Sequence, residues 1–241
     1  MADTLAAFVR RHDPDRFLTA LFAPADRREA LFALYAFNHE LARAREVASA
    51  PPLALIRLHW WREVVQGTDK RHEVATPLRA AITAGLLDPA DLLALIDTRE
   101  IEAEPGIPAV ADWLAYLRGT AGGLAVAAGR LLGAPEPERL RDPGAAYGAA
   151  GVLRAAPALA RHGRSLLPLE LARRPDATRL LAQEGLALAG TRGPALPRAA
   201  VAAALPVVLA RRDLRRIGAP AGPRGLGDRL AVIAAGLRGQ V

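Results

Sequence analysis

The 241-residue sequence contains no cysteine and only one lysine, Lys70. The absence of cysteine excludes disulfide bonds, thiolate metal ligands and a cysteine nucleophile, and it is typical of a reducing compartment. Aromatic residues account for only 5% of the chain, although apolar residues make up 51%. Alanine and leucine therefore supply most of the apolar surface, which favours helices over β-sheet.

The sequence also lacks an apolar run of the roughly 18 residues that a membrane span needs. Its first residues, Met1 to Leu5, do not show the basic region and apolar region of a secretory signal. We therefore expect a cytoplasmic protein. Peripheral attachment to the inner membrane stays open as an alternative.

Positive charge exceeds negative charge, with 32 basic and 25 acidic residues and a net charge of +7. Arginine suits phosphate, diphosphate and anionic lipid headgroups, but a GC-rich genome would give the same arginine bias. The densest basic face is formed by Arg211, Arg212, Arg215 and Arg216. This face is either a solvated surface or a contact for an acidic partner or an anionic membrane. No nucleic acid partner is predicted.

Helical periodicity recurs along the chain, without the alternation typical of strands and without a fixed-period repeat. We predict one all-α domain over residues 1–241 with about eight to ten helices. The predicted helices cover residues 4–11, 15–21, 27–49, 53–67, 76–85, 88–102, 109–132, 136–160, 176–188 and 199–212, and residues 228–237 would close the fold.

The common signatures of catalysis are absent. The sequence has no glycine-rich phosphate loop with lysine, no His-Glu-x-x-His and no Gly-x-Ser-x-Gly. Its five histidines do not pair at helical spacing, and no Asp-x-x-x-Asp occurs. Asp88 and Asp91 come nearest, but they stand at a predicted helix start, where capping explains them better. We therefore predict no catalytic residue.

One polar stripe follows the predicted helix over residues 27–49. Tyr35, His39, Ala42 and Glu46 recur at intervals that place them on one helix face. From spacing alone, such a face is most often a solvated surface.

Five segments in order resemble the signatures of the squalene and phytoene synthase family, over roughly residues 15–170. They are residues 33–47 (ALYAFNHELARAREV), 56–63 (IRLHWWRE), 115–124 (AYLRGTAGGL), 151–155 (GVLRA) and 163–168 (GRSLLP). The resemblance implies an isoprenoid-synthase-like helical bundle around a central cavity. Enzymes of the family join two allylic diphosphates, with Mg²⁺ held by two Asp-x-x-x-Asp motifs on facing helices.

This sequence departs from the family at those motifs. The first falls on Ala42 and Glu46, and the second falls on Ala155 and Leu159. In the same comparison, His39 replaces a basic residue, and Gly148 and Gly151 replace amide side chains. One carboxylate does not build a magnesium cluster, so the resemblance implies no metal and no cofactor. Mg²⁺ is expected only if the chain is an active enzyme.

The strings over residues 37–42 (FNHELA) and 56–62 (IRLHWWR) are similar to one catalytically degenerate branch of the family. That branch includes the phytoene-synthase-like assembly factor of mitochondrial respiratory complex I. The resemblance implies a pocket lined by Tyr35, His39, Ala42, Glu46, Tyr116, Thr120, Leu124 and Arg154. Because a buried arginine needs a partner, we predict a salt bridge between Glu46 and Arg154 across that pocket.

Three functions follow as hypotheses. The first is a pseudoenzyme that binds a complex I subunit or assembly intermediate. The second is an active prenyltransferase of squalene or phytoene synthase type with an atypical metal site. The third is a carrier of a prenyl or quinone lipid, for which Tyr35, Tyr116, Thr120 and Leu124 would have to line one continuous apolar pocket.

Overall fold

The computed structural model describes residues 4–48, 50–191, 195–217, 222 and 224–241. Within these ranges the chain is helical, without a β-strand; one isolated bridge joins Ile107 and Pro168. The first eight helices are α1 (Leu5–His12), α2 (Pro14–Ala20), α3 (Ala25–Glu46), α4 (Pro51–Val65), α5 (Ala75–Thr83), α6 (Pro89–Arg99), α7 (Val110–Leu117) and α8 (Gly123–Leu131). The remaining five are α9 (Arg141–Arg161), α10 (Ala177–Ala189), α11 (Val201–Ala204), α12 (Pro206–Arg215) and α13 (Leu226–Arg238). The predicted all-α class is confirmed.

Local capping explains several helix starts. The Asp13 carboxylate accepts a hydrogen bond from the Arg16 backbone N–H at the start of α2, and Asp88 accepts one from Ala90 at the start of α6. Each of these helices also has proline in its first turn, where the missing N–H costs nothing. Asp88 is therefore a capping residue, as its position in the sequence predicts.

The long helix α3 lies at the centre of the fold. Residues 30–38 are all buried, because α3 contacts α1, α4, α5 and α8 around most of its circumference. Trp61 of α4 packs edge-on against Phe37 of α3, with ring centroids 5.4 Å apart. Trp113 is fully buried in a second apolar cluster. Both tryptophans therefore serve the core.

The predicted helix over residues 109–132 forms as α7 and α8, joined through a π-helical turn at Arg118–Gly122. Helix α9 packs closely against this turn, because glycine occupies the contact positions. A Cβ on Gly144 would lie 2.6 Å from the Ala125 Cβ, and one on Gly148 would lie 2.8 Å from the Ala121 Cβ.

Helices α10, α12 and α13 complete the fold. Helix α12 contacts both α9 and α10, and α13 contacts α12. None of the helices in the described ranges has both the length and the apolar content that crossing a bilayer requires.

Candidate functional site

A cleft of about 280 Å³ opens between α3, the α7 end with its π-turn, and α9. Both polar side chains and small or apolar side chains line the cleft. The lining residues include Asp13, Arg16, Asn38, His39, Ala42, Glu46, Arg99, Glu102, Tyr116, Leu117, Thr120, Tyr147, Gly148, Gly151, Val152, Ala155, Leu159, Arg164 and Leu166.

The structure brings five of the eight predicted pocket residues to this cleft. They are His39, Ala42, Glu46, Tyr116 and Thr120. Tyr35 and Leu124 instead line a separate cavity of only about 10 Å³, which has room for about one water molecule. The four residues required for a continuous apolar pocket therefore do not line one cavity.

Arg16 and Tyr147 form the wall between the two cavities and line both of them. The Arg16 guanidinium lies 4.8 Å from the centroid of the Tyr147 ring and 5.7 Å from that of Tyr35. Its Nη1 also donates to the Asp13 carboxylate at 2.8 Å. These contacts satisfy a cation that is otherwise removed from water.

The four degenerate motif positions stand on the two helices that face each other across the cleft. Ala42 and Glu46 are on α3, and Ala155 and Leu159 are on α9. A magnesium ion needs several oxygen ligands in near-octahedral geometry, and these positions offer one carboxylate. No group of three or more histidine, aspartate or glutamate side chains in the described part of the chain is placed to hold a metal. The residues at this position do not fit a magnesium site.

The other two carboxylates of the cleft are already bound by arginine. Asp13 pairs with Arg16, and Glu102 accepts a hydrogen bond from Arg99 Nη1 at 2.5 Å. Neither carboxylate is therefore available as a metal ligand without breaking an ion pair.

Arg99 is the centre of a buried polar cluster, which consists of Asn38, Arg99, Glu102 and Tyr116. Besides its bond to Glu102, Arg99 donates to Asn38 Oδ1 and to Tyr116 Oη, both at 3.3 Å. The Tyr116 hydroxyl donates to Glu102 Oε1 at 2.7 Å. The cluster joins α3, the end of α6, a following 3₁₀ turn and α7 beneath the cleft.

Burial determines how these groups ionise. Burial raises the pKa of the Tyr116 hydroxyl, and the neighbouring Glu102 carboxylate raises it further, so the hydroxyl stays protonated and donates. Burial lowers the pKa of Arg99, but the charge of Glu102 outweighs it and the pKa is raised overall. The cluster is thus a fixed ion pair with one hydroxyl donor.

The predicted salt bridge between Glu46 and Arg154 is wrong. Arg154 Nη1 binds Asp213 at 3.1 Å and Nη2 donates to the Gly222 carbonyl at 3.0 Å. Arg154 directly precedes Ala155, so the two side chains point about 100° apart around α9, and Arg154 faces α12 instead of α3. Glu46 lies at the exposed end of α3 and contributes to the electrostatic surroundings of Arg99 and His39.

His39 is in contact with two rings from α1. It stacks on His12 with centroids 4.6 Å apart and meets the edge of Phe8 at 5.6 Å. Burial lowers the pKa of His39, and the adjacent His12 lowers it further; Glu40 and Glu46 act in the opposite direction. Neutral imidazole is therefore the favoured form of this side chain.

The C-terminal basic face is largely used within the protein. Arg211 donates to the carbonyls of Ala189 and Gly190 at the end of α10. Arg212 and Arg216 both bind Asp228, at 2.6 and 3.0 Å. These three arginines join α10, α12 and α13. Most of the basic face therefore makes contacts within the protein, which neither of the two predicted alternatives included.

Sequence reasoning missed Asn38, Arg99 and Glu102. The available signal was the pairing of Arg99 with Glu102 at a spacing of three residues, beside an otherwise apolar helix. Asn38 precedes the noted His39 but belongs to a different face of α3, which the stripe did not include.

Comparisons with known proteins agree with this geometry. Residues 9–189 match the family described as squalene/phytoene synthase. The chain is 31% identical over 96 residues to human "NADH dehydrogenase (ubiquinone) complex I, assembly factor 6", and 33% identical to the bovine protein of that name. Each match covers 38% of this chain and only 29% of the relative.

Solved structures show the fold. A dehydrosqualene synthase superposes with a TM-score of 0.72 at 13% identity, covering 97% of this chain and 94% of that one. The squalene synthase HpnC from Alicyclobacillus acidocaldarius gives a TM-score of 0.62 at 17% identity, covering 98% and 92%. With three quarters of its length matched to the family, the chain belongs to the squalene/phytoene synthase family.

Proposed function

We propose that this chain is a non-catalytic member of the family that acts as a binding factor in the assembly of respiratory complex I. The observation that carries the proposal is the set of side chains at the four motif positions, which lie on facing helices. Ala42, Ala155 and Leu159 stand there with Glu46 as the single carboxylate.

The chemistry of the family reaction supports this assignment. A departing diphosphate carries several negative charges and needs metal ions to stabilise it. Glu46 alone provides too few ligands, and the Asp13 and Glu102 carboxylates are occupied by Arg16 and Arg99. A cleft with this donor set suits recognition of a partner better than ionisation of a substrate.

The relatives support the biological role. The human and bovine proteins are named as complex I assembly factors. We therefore place a subunit or an assembly intermediate of complex I as the partner of this chain. The matched part covers 29% of the length of those relatives.

Gene deletion tests the role directly. A strain without this protein should contain less assembled complex I on native gels and less NADH:ubiquinone activity, and its hopanoid or carotenoid content should be unchanged. The wild-type chain should restore assembly. Normal complex I with altered isoprenoid content would contradict the proposal and favour the prenyltransferase alternative.

Turnover by the purified protein tests the loss of catalysis. We expect no release of pyrophosphate above background from farnesyl or geranylgeranyl diphosphate in the presence of Mg²⁺. The matched control is Glu46→Ala, which removes the last motif carboxylate. Mg²⁺-dependent release that this substitution abolishes would show an active, atypical synthase.

A further inference from the structure

We propose that the outward face of α13 binds an anionic lipid surface. The face, called here the leucine face, consists of Leu226, Leu230 and Leu237 together with the half-buried Ile233. The inference uses the surface chemistry of α13 and does not depend on the function proposed for the cleft.

The leucine face combines large apolar side chains with high exposure. Leu226, Leu230 and Leu237 are 78%, 60% and 63% exposed, and Ile56 on α4 is the one other large apolar side chain in the described ranges with an exposure of 60% or more. Their spacing of four and seven residues places them on one side of the helix. The opposite side of α13, with Val232 and Ala235, packs into the protein.

Arginine flanks this face on both edges. At 100° per residue, Arg229 lies on one side of the leucines and Arg238 on the other, and both side chains are exposed. Asp228, the only acid of α13, points inward and is bound by Arg212 and Arg216. The outward side of the helix therefore presents apolar groups and positive charge only.

A second observation extends the positive charge beside the leucine face. Arg229 also lines a cavity of about 910 Å³ together with Arg10, Arg154 and Arg224. Asp15 and Asp213 neutralise Arg224, and Asp213 also binds Arg154. Arg10 and Arg229 form no ion pair within the described residues and are exposed, so they add to the field that an anionic headgroup would meet.

Area and charge favour a membrane surface over a protein partner. A helix of 13 residues is about 20 Å long, and one face of it offers roughly 200 Å². A stable protein interface takes about 800 Å² from each partner. Apolar side chains between flanking arginines are instead the pattern of a helix lying in the plane of an anionic bilayer.

Vesicle binding by the full chain tests the inference. Wild-type protein should co-sediment with vesicles of phosphatidylcholine and phosphatidylglycerol in equal parts, and much less with phosphatidylcholine alone. Changing Leu226, Leu230 and Leu237 together to serine should lower the partition coefficient at least about tenfold. Arg229→Gln with Arg238→Gln should lower it about fivefold per arginine, and raised salt should reduce the difference.

Matched controls use other exposed sites. Leu53→Ser with Ile56→Ser alters another exposed apolar patch, and Arg161→Gln with Arg173→Gln removes the same charge elsewhere. Both control variants should bind within about twofold of wild type, because a face not in contact with the bilayer adds little to binding. Circular dichroism and thermal unfolding should show that every variant is folded.

Three results would overturn the inference. The first is the absence of wild-type binding to anionic vesicles. The second is a loss of binding in a control variant equal to that in its matched test variant, which would show a general charge effect for the arginine control and a general apolar effect for the Leu53→Ser, Ile56→Ser control. The third is a dimer in light scattering that the serine variant abolishes while vesicle binding persists, which would assign the leucine face to a second copy of the chain.

Discussion

At the scale of single residues, we expect His39 to make the stability of the protein depend on pH. Burial and the stacked His12 hold the pKa of His39 below its usual value of 6.5. Between the two values the unfolded chain binds more protons than the folded chain, so the free energy of unfolding falls as pH decreases below about 6.5. Replacing His39 by glutamine should flatten this dependence, as measured by urea unfolding between neutral and mildly acidic pH.

The control for this prediction is His162→Gln. His162 is exposed at the end of α9, so its replacement should leave the slope of stability against pH as in wild type. An identical slope in the His39→Gln variant and wild type would show that another group is responsible.

Two glycines of α9 provide a matched pair at the same scale. A Cβ on Gly144 would lie 2.6 Å from the Ala125 Cβ and 2.7 Å from the Ala121 carbonyl oxygen, whereas a Cβ on Gly151 meets nothing within 4 Å. We expect Gly144→Ala to lower the free energy of unfolding by about 1–3 kcal/mol through overpacking. Gly151→Ala should raise it by about 0.5–1 kcal/mol, since alanine is the better helix former.

Chemical unfolding of both variants measures the difference. A loss of stability in Gly151→Ala would mean that the cleft beside this residue is narrower than the structure gives. No loss in Gly144→Ala would mean that α9 moves away from the π-turn at little cost.

At the scale of elements, the Arg99 cluster ties α3 and α7 to the end of α6. Arg99→Met leaves the Glu102 carboxylate without its cation, and Glu102→Gln leaves Arg99 without its anion. Each single change should cost about 3–5 kcal/mol, as for other buried pairs. The double variant should recover part of the loss, with a coupling energy of about 2 kcal/mol. In Glu102→Gln the side-chain carbonyl can still accept the hydrogen bond that the Tyr116 hydroxyl donates.

Glu46→Ala is the comparison for this cycle. Glu46 is exposed and forms no ion pair within the described residues, so its removal should change stability by about 0.5 kcal/mol or less. Strict additivity of the Arg99 and Glu102 effects would contradict the assignment of a coupled pair.

The sequence predicts the elements better than it predicts the contacts among them. Helix positions follow from periodicity, capping and proline, and the stripe of His39, Ala42 and Glu46 does reach the cleft. The Arg99 cluster was not predictable in this way, because Asn38 and Arg99 are 61 residues apart and meet only through packing. Arg154 was misassigned because its partner was inferred from expected burial alone, whereas its side chain binds Asp213 of α12 and not a group on α3.

At the scale of the whole molecule, ion pairs join the two ends of the described chain. Arg224 binds Asp15, 209 residues earlier, and also binds Asp213 of α12. The cleft, the small cavity beside it and the outer cavity share Arg16 and Tyr147 as lining residues. Arg224 is therefore connected to the wall of the cleft through Asp15 and its neighbour Arg16 on α2.

The two main apolar clusters offer a test of whether residues 1–241 form one domain. Trp61 belongs to the cluster around α3, and Trp113 belongs to the cluster around α9. Trp60→Phe with Trp61→Phe leaves Trp113 as the only fluorescent tryptophan, and Trp113→Phe leaves the reporters on α4. If the clusters unfold together, fluorescence and far-ultraviolet circular dichroism should give the same urea midpoint within each variant. Because the comparison is made inside each variant, any loss of stability from the substitution itself cancels. A Trp113 transition that precedes the loss of helix would show that α9, α10 and α12 unfold as a separate unit and would contradict the prediction of one domain.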